Sequence, residues 1–164
     1  MKKVVFPGSF DPIHYGHIDI ARRATKLFDL VVIAVYDRPN KNLLFDPNTR
    51  MELVREAVRD IEGIEVTGYS GLTVAYAKEI GATAILRGLR VFSDFEFEFR
   101  MALANRRLYD DIDTVALITD EENTFISSST VKEIVSLGGD VSSMVPPHVN
   151  QALLKRYAEL GAQE

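Results

Sequence analysis

Three short clusters in this 164-residue chain carry side chains suited to phosphate chemistry. The first is GSFDPIHYGH, Gly8–His17, where His14 and His17 stand three apart and would share one face of a helix. At the first turn of a helix the backbone N–H groups lack partners and the dipole favours anions. An imidazole placed there adds a hydrogen bond to a phosphate oxygen. Gly16 lacks a Cβ, which lets a ligand approach closely, and Ser9 offers a hydroxyl and a backbone N–H at the preceding turn. The second cluster is Arg87-Gly88-Leu89-Arg90, whose two guanidinium groups could fork onto phosphate oxygens. The third is Ser127-Ser128-Ser129, hydroxyls and free amides at a helix start, suited to a β- or γ-phosphate. Lys41, with Arg38 close by, adds positive charge in the polar loop DRPNKN.

Each cluster also has an ordinary explanation. The two histidines could be a chance pair or structural caps, or could bind a metal with Asp11 as third ligand. The arginines could pair with Asp94, Glu96 or Glu98 on the surface. Ser127 could simply cap its helix, and Lys41 and Arg38 could be solvated loop charge. His148, after Pro146-Pro147, reads as a surface or capping residue. The chain has no GxxxxGK[ST] loop, no GxGxxG and no GxSxG, which removes the usual ATPase, dinucleotide-oxidoreductase and nucleophile-elbow readings.

The clusters need a scaffold, and the hydrophobic pattern supplies one. Strands are expected at Lys2–Pro7, Leu30–Tyr36, Ile64–Thr67, Thr83–Leu86 and Asp113–Ile118, short β-branched runs bounded by turn residues. Helices are expected from about Gly16 to Leu27, after the Asp46-Pro47 cap, over Leu72–Ile80 with Gly81 closing it, from Ser93-Asp94 to Leu108, over Ser127–Leu137, and from Pro146-Pro147 to about Leu160. Phe95–Phe99 (FEFEF) alternates as a strand would, but the apolar spacing continues to Leu108 without a turn signal, which favours helix. Strand and helix alternate throughout. The expected fold is α/β: a Rossmann-like, doubly wound, five-stranded parallel sheet with helices on both faces, in one domain spanning 1–164. Ligands of such sheets bind beyond the carboxyl ends of the strands, and that is where all three clusters and Lys41 fall.

Composition narrows the class. Hydrophobic residues make up 46% and charged residues 26%, the balance of a globular domain. With no cysteine, disulfides, thiolate metal sites and cysteine nucleophiles are excluded. A net charge of −5 argues against a general nucleic-acid binder, though not against a phosphate ligand. No apolar run approaches the roughly 20 residues that span a bilayer, and MKKVVFPGSF stops at Pro7-Gly8, too soon for a signal peptide. A cytoplasmic protein is expected, with no membrane partner.

His14-Tyr15-Gly16-His17 also fills the (T/H)xGH signature of the nucleotidyltransferase superfamily. Taken in order, PGSFDPIHYGH, Asn40-Lys41, ILRGLR (Ile85–Arg90), DFEFEFRMALANR (Asp94–Arg106), FISSSTVKEI (Phe125–Ile134) and MVPPHV resemble the bacterial phosphopantetheine adenylyltransferases. The likeness runs from about residue 2 to 158. It implies direct in-line attack of the phosphate of 4′-phosphopantetheine on the α-phosphorus of ATP, giving dephospho-coenzyme A and pyrophosphate without a covalent enzyme intermediate. By the same resemblance His17, Lys41 and Arg90 would be catalytic, with His17 stabilising the α-phosphate in the transition state. ATP would meet Ser9, Phe10, His14, His17, Gly88, Leu89, Arg90, Glu98, Asn123, Thr124, Phe125, Ile126, Ser127, Ser128 and Ser129. The acceptor would meet Ser9, Lys41, Leu72, Thr73 and Arg87. Mg2+ would accompany ATP, with no metal held by the protein alone. The resemblance further implies a homohexamer, and the Phe-rich stretch Phe92–Phe99 could supply interface area. Phe6, where tyrosine is common, and Thr73, where a larger apolar residue is frequent, depart from the pattern around the acceptor. Rival readings are a nucleotidyltransferase acting on nicotinamide mononucleotide or a cytidylyl acceptor, an inactive ATP-binding module, and a flavodoxin-like binding protein.

Overall fold

A computed structural model describes residues 1–37 and 42–162, the side chain of Phe92 excepted. Among these residues five strands form one all-parallel sheet: β1 (Lys3–Gly8), β2 (Leu30–Tyr36), β3 (Ile64–Tyr69), β4 (Ala84–Leu89) and β5 (Asp113–Ile118), in the order β3-β2-β1-β4-β5. The helices between and after them are α1 (Tyr15–Ala24), α2 (Pro47–Val58), α3 (Thr73–Glu79), α4 (Phe92–Leu108), α5 (Ser128–Ser136) and α6 (Pro147–Gly161). This is the expected doubly wound architecture.

Alternation along the central strands builds two cores. Val4, Val31, Ile33 and Leu86 turn to one face and pack with apolar residues of α1, α2, α5 and α6. Val5, Ala34 and Ile85 turn to the other and pack with Val74 and Ala77 of α3 and with Ile112, just beyond α4. A strand buried on both faces can be apolar at every position, which is why LVVIAVY of β2 shows no polar alternation.

Local chemistry sets the ends. Asp46 caps α2 by accepting from the Thr49 N–H at 3.0 Å, with Pro47 at the first helical position. Gly81 takes φ +68 after α3, a left-handed conformation that glycine adopts without strain. Phe95–Phe99 is helical: it lies inside α4, and Phe95, Phe97 and Phe99 all stay about half exposed.

Several expected boundaries move. β4 continues to Leu89 rather than stopping at Leu86, because its register with β5 holds through Arg87↔Ala116, Gly88↔Leu117 and Leu89↔Ile118. β3 reaches Tyr69 for the same reason, pairing Gly68 and Tyr69 with β2. α1 ends at Ala24 with Thr25 as its C-cap, three residues before Leu27. The N-cap of α4 is Val91, not Ser93 or Asp94; Asp94 closes the turn from inside, its carboxylate accepting from the N–H groups of Arg90 and Val91. A single 3-10 turn at Glu121–Asn123 precedes α5. Among the described residues no helix is long and apolar enough to cross a membrane.

One feature of the register decides where a ligand can enter. β1 pairs with β4 only at Val4↔Ala84 and Val5↔Ile85, whereas β1 stays paired with β2 to Gly8 and β4 with β5 to Leu89. The two strands therefore part at their carboxyl ends, at the point where strand order reverses. Leu86 is fully buried beside that opening. Leu86→Ala should lower stability by about 2–5 kcal/mol, read as a fall in the urea midpoint with unchanged m-value.

Candidate active site

The gap between β1 and β4 opens into a cleft of about 360 Å3. Its floor comes from Phe6–Phe10 at the end of β1, and one side from His14, Gly16, His17 and Ile20 of α1. Arg87, Gly88 and Arg90 enter from β4, with Asp94 and Glu98 of α4; Thr119 and Ser127–Ser129 close it.

The two histidines build the start of α1 between them. His14 is the N-cap, and its Nδ1 accepts from the Gly16 N–H at 3.1 Å. His17 reaches back, its Nδ1 accepting from the His14 N–H at 3.2 Å. The rings stack with centroids 3.7 Å apart. Capping is thus real, and it fixes the chemistry: a ring nitrogen that accepts carries no proton, so each imidazole bears its proton on Nε2. The rings line the cleft as neutral hydrogen-bond donors. Gly16 lines the cleft, and a Cβ there would also crowd the His14 ring at 3.0 Å, so that ring would have to give.

Burial pushes the His14 pKa down from 6.5 to about 3, with the nearby Arg90 charge adding to the effect. The third ligand suggested by the metal reading is otherwise engaged. Asp11 is buried, accepts from the Leu44 and Phe45 N–H groups at 2.9 and 3.0 Å, and pairs with Lys132 at 2.8 Å. Among the described residues no group of three or more His, Cys, Asp or Glu side chains could hold a metal ion.

Both arginines of the second cluster have carboxylate partners. Arg87 makes a bidentate pair with Glu98, both N–H···O distances 2.7 Å, and donates from Nη1 to the Pro7 carbonyl across the parted strands at 3.2 Å. Arg90 pairs with Asp94 at 3.2 Å and donates to the Ile126 carbonyl at 3.1 Å. The ion-pair alternative is therefore correct in its contacts. Yet these pairs line the cleft, where they hold the guanidinium planes in place with N–H groups to spare.

Ser127 is the N-cap of α5, its hydroxyl accepting from the Thr130 N–H, and the Ser128 hydroxyl donates to the Pro12 carbonyl. The Ser129 hydroxyl has no hydrogen bond among the described residues. With the unsatisfied amides of the first turn of α5, these three residues form a rim of hydroxyl and amide groups whose chemistry suits an anion.

A second pocket of about 280 Å3 adjoins the first, and Arg87 and Glu98 line both. Its walls are mostly apolar: Leu72, Ile85, Phe97, Met101 and Ala102, with Tyr36, Thr73, Asn105 and Thr114. The Thr73 hydroxyl is held by the Tyr69 hydroxyl at 2.8 Å.

The structure thus gathers Ser9, Phe10, His14, His17, Arg87, Gly88, Arg90, Glu98 and Ser127–Ser129 around one cleft, and Leu72 and Thr73 in the adjoining pocket. Leu89, Asn123, Thr124, Phe125 and Ile126 line neither. Leu89 and Ile126 contribute carbonyls, accepting from the Thr119 N–H and from Arg90. Asn123 ends the 3-10 turn near Gly16, the Thr124 hydroxyl donates to the Asp120 carbonyl, and Phe125 is 61% exposed. Lys41, with Arg38, lies outside the described residues. Sequence reasoning passed over the α4 wall, Phe97, Met101 and Asn105. Their spacing of four puts them on one helix face, a signal that was readable.

The sequence profile of the cytidylyltransferase-like family matches residues 5–134, and with this fold and cleft it defines the chain as a nucleotidyltransferase. The chain is 51% identical over 157 residues to a phosphopantetheine adenylyltransferase of Roseiflexus sp. (strain RS-1), covering 96% of this chain and 98% of that one. It is 49% identical over 160 residues to the enzyme of the same name from Moorella thermoacetica, covering 98% and 100%. A Vibrio parahaemolyticus crystal structure, described provisionally as a nicotinate-nucleotide adenylyltransferase, superposes with a TM-score of 0.73 over 96% of both chains at 22% identity, a likeness of fold. The chain belongs to the phosphopantetheine adenylyltransferase family.

A pH dependence follows from His14. The unfolded chain takes up this proton as pH falls through about 6.5, whereas the folded chain refuses it until about 3. The contribution is complete above pH 6.5 and is lost as pH falls below it, on the order of 2 kcal/mol between pH 7 and 5. His14→Asn, which keeps a capping acceptor, should flatten that decline in urea titrations. The His14 ring should show no NMR titration from pH 8 to 5.

Proposed function

We propose that the chain transfers the adenylyl group of ATP to 4′-phosphopantetheine, releasing pyrophosphate and forming dephospho-coenzyme A. The observation that supports this most is the sharing of Arg87 and Glu98 between two pockets of different character. One is rimmed by amides, hydroxyls and guanidinium groups, as a triphosphate needs. The other is smaller and mostly apolar, as a pantetheine arm needs. An acceptor phosphate at Arg87 would stand between them, facing the α-phosphate of an ATP bound in the larger cleft.

In this reading Ser9 and Phe10 contact ATP at the end of β1, and Ser9 also meets the acceptor. Gly88–Arg90 and Asn123–Ser129 hold the nucleotide, with Arg90 and the serines on the β- and γ-phosphates and Glu98 nearby. Lys41 and Arg87 grip the acceptor phosphate, and Leu72 and Thr73 line its arm. The acceptor oxygen attacks the α-phosphorus in line as the bond to pyrophosphate breaks. The Nε2–H of His17 then donates to the oxygen on which charge builds. No side chain becomes covalently bound; positioning and charge stabilisation carry the rate. Mg2+ would fit as a companion of ATP, held mostly by phosphates and water, because the two carboxylates of the cleft, Asp94 and Glu98, are paired with Arg90 and Arg87; when bound it would neutralise phosphate charge.

The same reading includes assembly into a homohexamer and work in the cytoplasm, without nucleic-acid or membrane partners. Phe95, Phe99 and Leu103 follow at spacing four along α4 and are 53%, 53% and 57% exposed, a contiguous apolar stripe of the kind that marks an interface. Light scattering should give six protomers, and Phe99→Glu should yield smaller species.

A pyrophosphate-release assay with ATP and Mg2+ tests the activity. Release is expected with 4′-phosphopantetheine and not with nicotinamide mononucleotide or without acceptor. Release only with another acceptor would overturn the substrate, and none with any acceptor from folded, ATP-binding protein would favour a binding module. His17→Ala should lower kcat by the equivalent of about 2.7–4 kcal/mol while ATP affinity changes little. An unchanged kcat would remove His17 from the mechanism.

A further inference from the structure

Arg50 lines neither pocket, yet it is fully buried in the second turn of α2. A charge so placed is strongly penalised unless its surroundings compensate. Here the compensation comes from backbone carbonyls of three separate segments, with the charges of Asp11, Asp46 and Asp37 beyond ion-pair distance adding to it. Nη1 donates to the Ser9 carbonyl at 2.7 Å and to the Tyr36 carbonyl at 2.8 Å, and Nε donates to the Phe45 carbonyl at 3.2 Å. No carboxylate lies within ion-pair distance among the described residues, and Nη2 has no partner among them. An apolar side chain of similar volume would fill a core more cheaply, so the guanidinium must be sought in what it holds.

It holds the turn after β1. The residue following Ser9 is Phe10, whose φ of +47 is the left-handed conformation that strains a side-chain-bearing residue. The Phe10 ring is buried and meets the His17 ring edge-on, centroids 4.9 Å apart. Opposite, His14 stacks on the same imidazole. A change in the Ser9–Phe10 turn therefore moves one of the rings packed on His17, beside those of His14 and Phe6. Arg50 also ties that turn to Tyr36 at the end of β2 and to Phe45 ahead of α2, so both flanks of the 37–44 stretch share its guanidinium.

We propose that Arg50 is a positioning residue for the transfer reaction: it clamps the strained Ser9–Phe10 turn and so fixes the imidazole of His17 against the α-phosphate. This rests on the reading of His17 given above. Lysine keeps the charge at this position but not the planar fork, so Arg50→Lys is the test.

In folded Arg50→Lys, kcat should fall at least tenfold, with KM for ATP and for 4′-phosphopantetheine shifting less than threefold. Against a His17→Ala background the same substitution should change kcat less than twofold, because its target is already gone. An equal loss in both backgrounds, or none in either, overturns the proposal. If Arg50→Lys does not fold, Arg50→Gln is carried through the same cycle with the same outcomes expected. NMR gives a readout independent of turnover: the His17 ring resonances should shift in the variant relative to the parent, and unchanged resonances overturn the proposal. A parent inactive toward 4′-phosphopantetheine would defeat the functional reading, leaving the clamp to be decided by those resonances.

Discussion

Beyond Val5 and Ile85, β1 and β4 stop sharing a ladder, and the rest of the site hangs on that separation. Two neighbouring parallel strands whose crossovers leave in opposite directions open a crevice at their carboxyl ends. Each side of the crevice is then held by its own outer neighbour, β1 by β2 and β4 by β5, to the last residue. The Arg87 side chain bridges the gap to the Pro7 carbonyl where backbone pairing has ceased. Rigid walls and a crevice between them are what positional catalysis needs, because a misplacement of about 1 Å can cost on the order of a hundredfold in rate.

The charge pattern also follows from that need. The chain carries a net −5, and its two cleft arginines are partnered by Glu98 and Asp94. Such pairs keep planar donors aimed before any ligand arrives, so that less reorganisation remains at the moment of reaction. The histidines contribute in the same spirit: each gives its Nδ1 to a backbone N–H and keeps its proton on Nε2. One nitrogen of each ring caps the helix, which leaves the other for the proposed phosphate contact.

Much of this was legible in sequence because the relevant signals are local. LVVIAVY and DTVALI gave their strands to the residue, and Asp46-Pro47 marked the start of α2. The three clusters could be expected to meet at one cleft because each follows a strand, and α/β topology gathers such segments at one end of the sheet. What escaped was non-local. The register with β5 extends β4 through Arg87–Leu89, and no residue in ILRGLR announces that partner. Asp94 closes α4 from its first turn instead of capping it, a choice settled by which N–H groups its carboxylate can reach. Nothing in PNTRMELV singles out Arg50, since its three carbonyl partners lie at Ser9, Tyr36 and Phe45 and meet only in the fold.

The proposed direct transfer between two ligands held in one crevice has a stereochemical signature. The most direct measurement is the stereochemical course at the α-phosphorus, using ATP made chiral there by a sulfur of defined configuration and 4′-phosphopantetheine as acceptor. A single in-line displacement predicts inversion. Retention would mean two displacements and an adenylylated side chain, contradicting a site that works by position and charge alone.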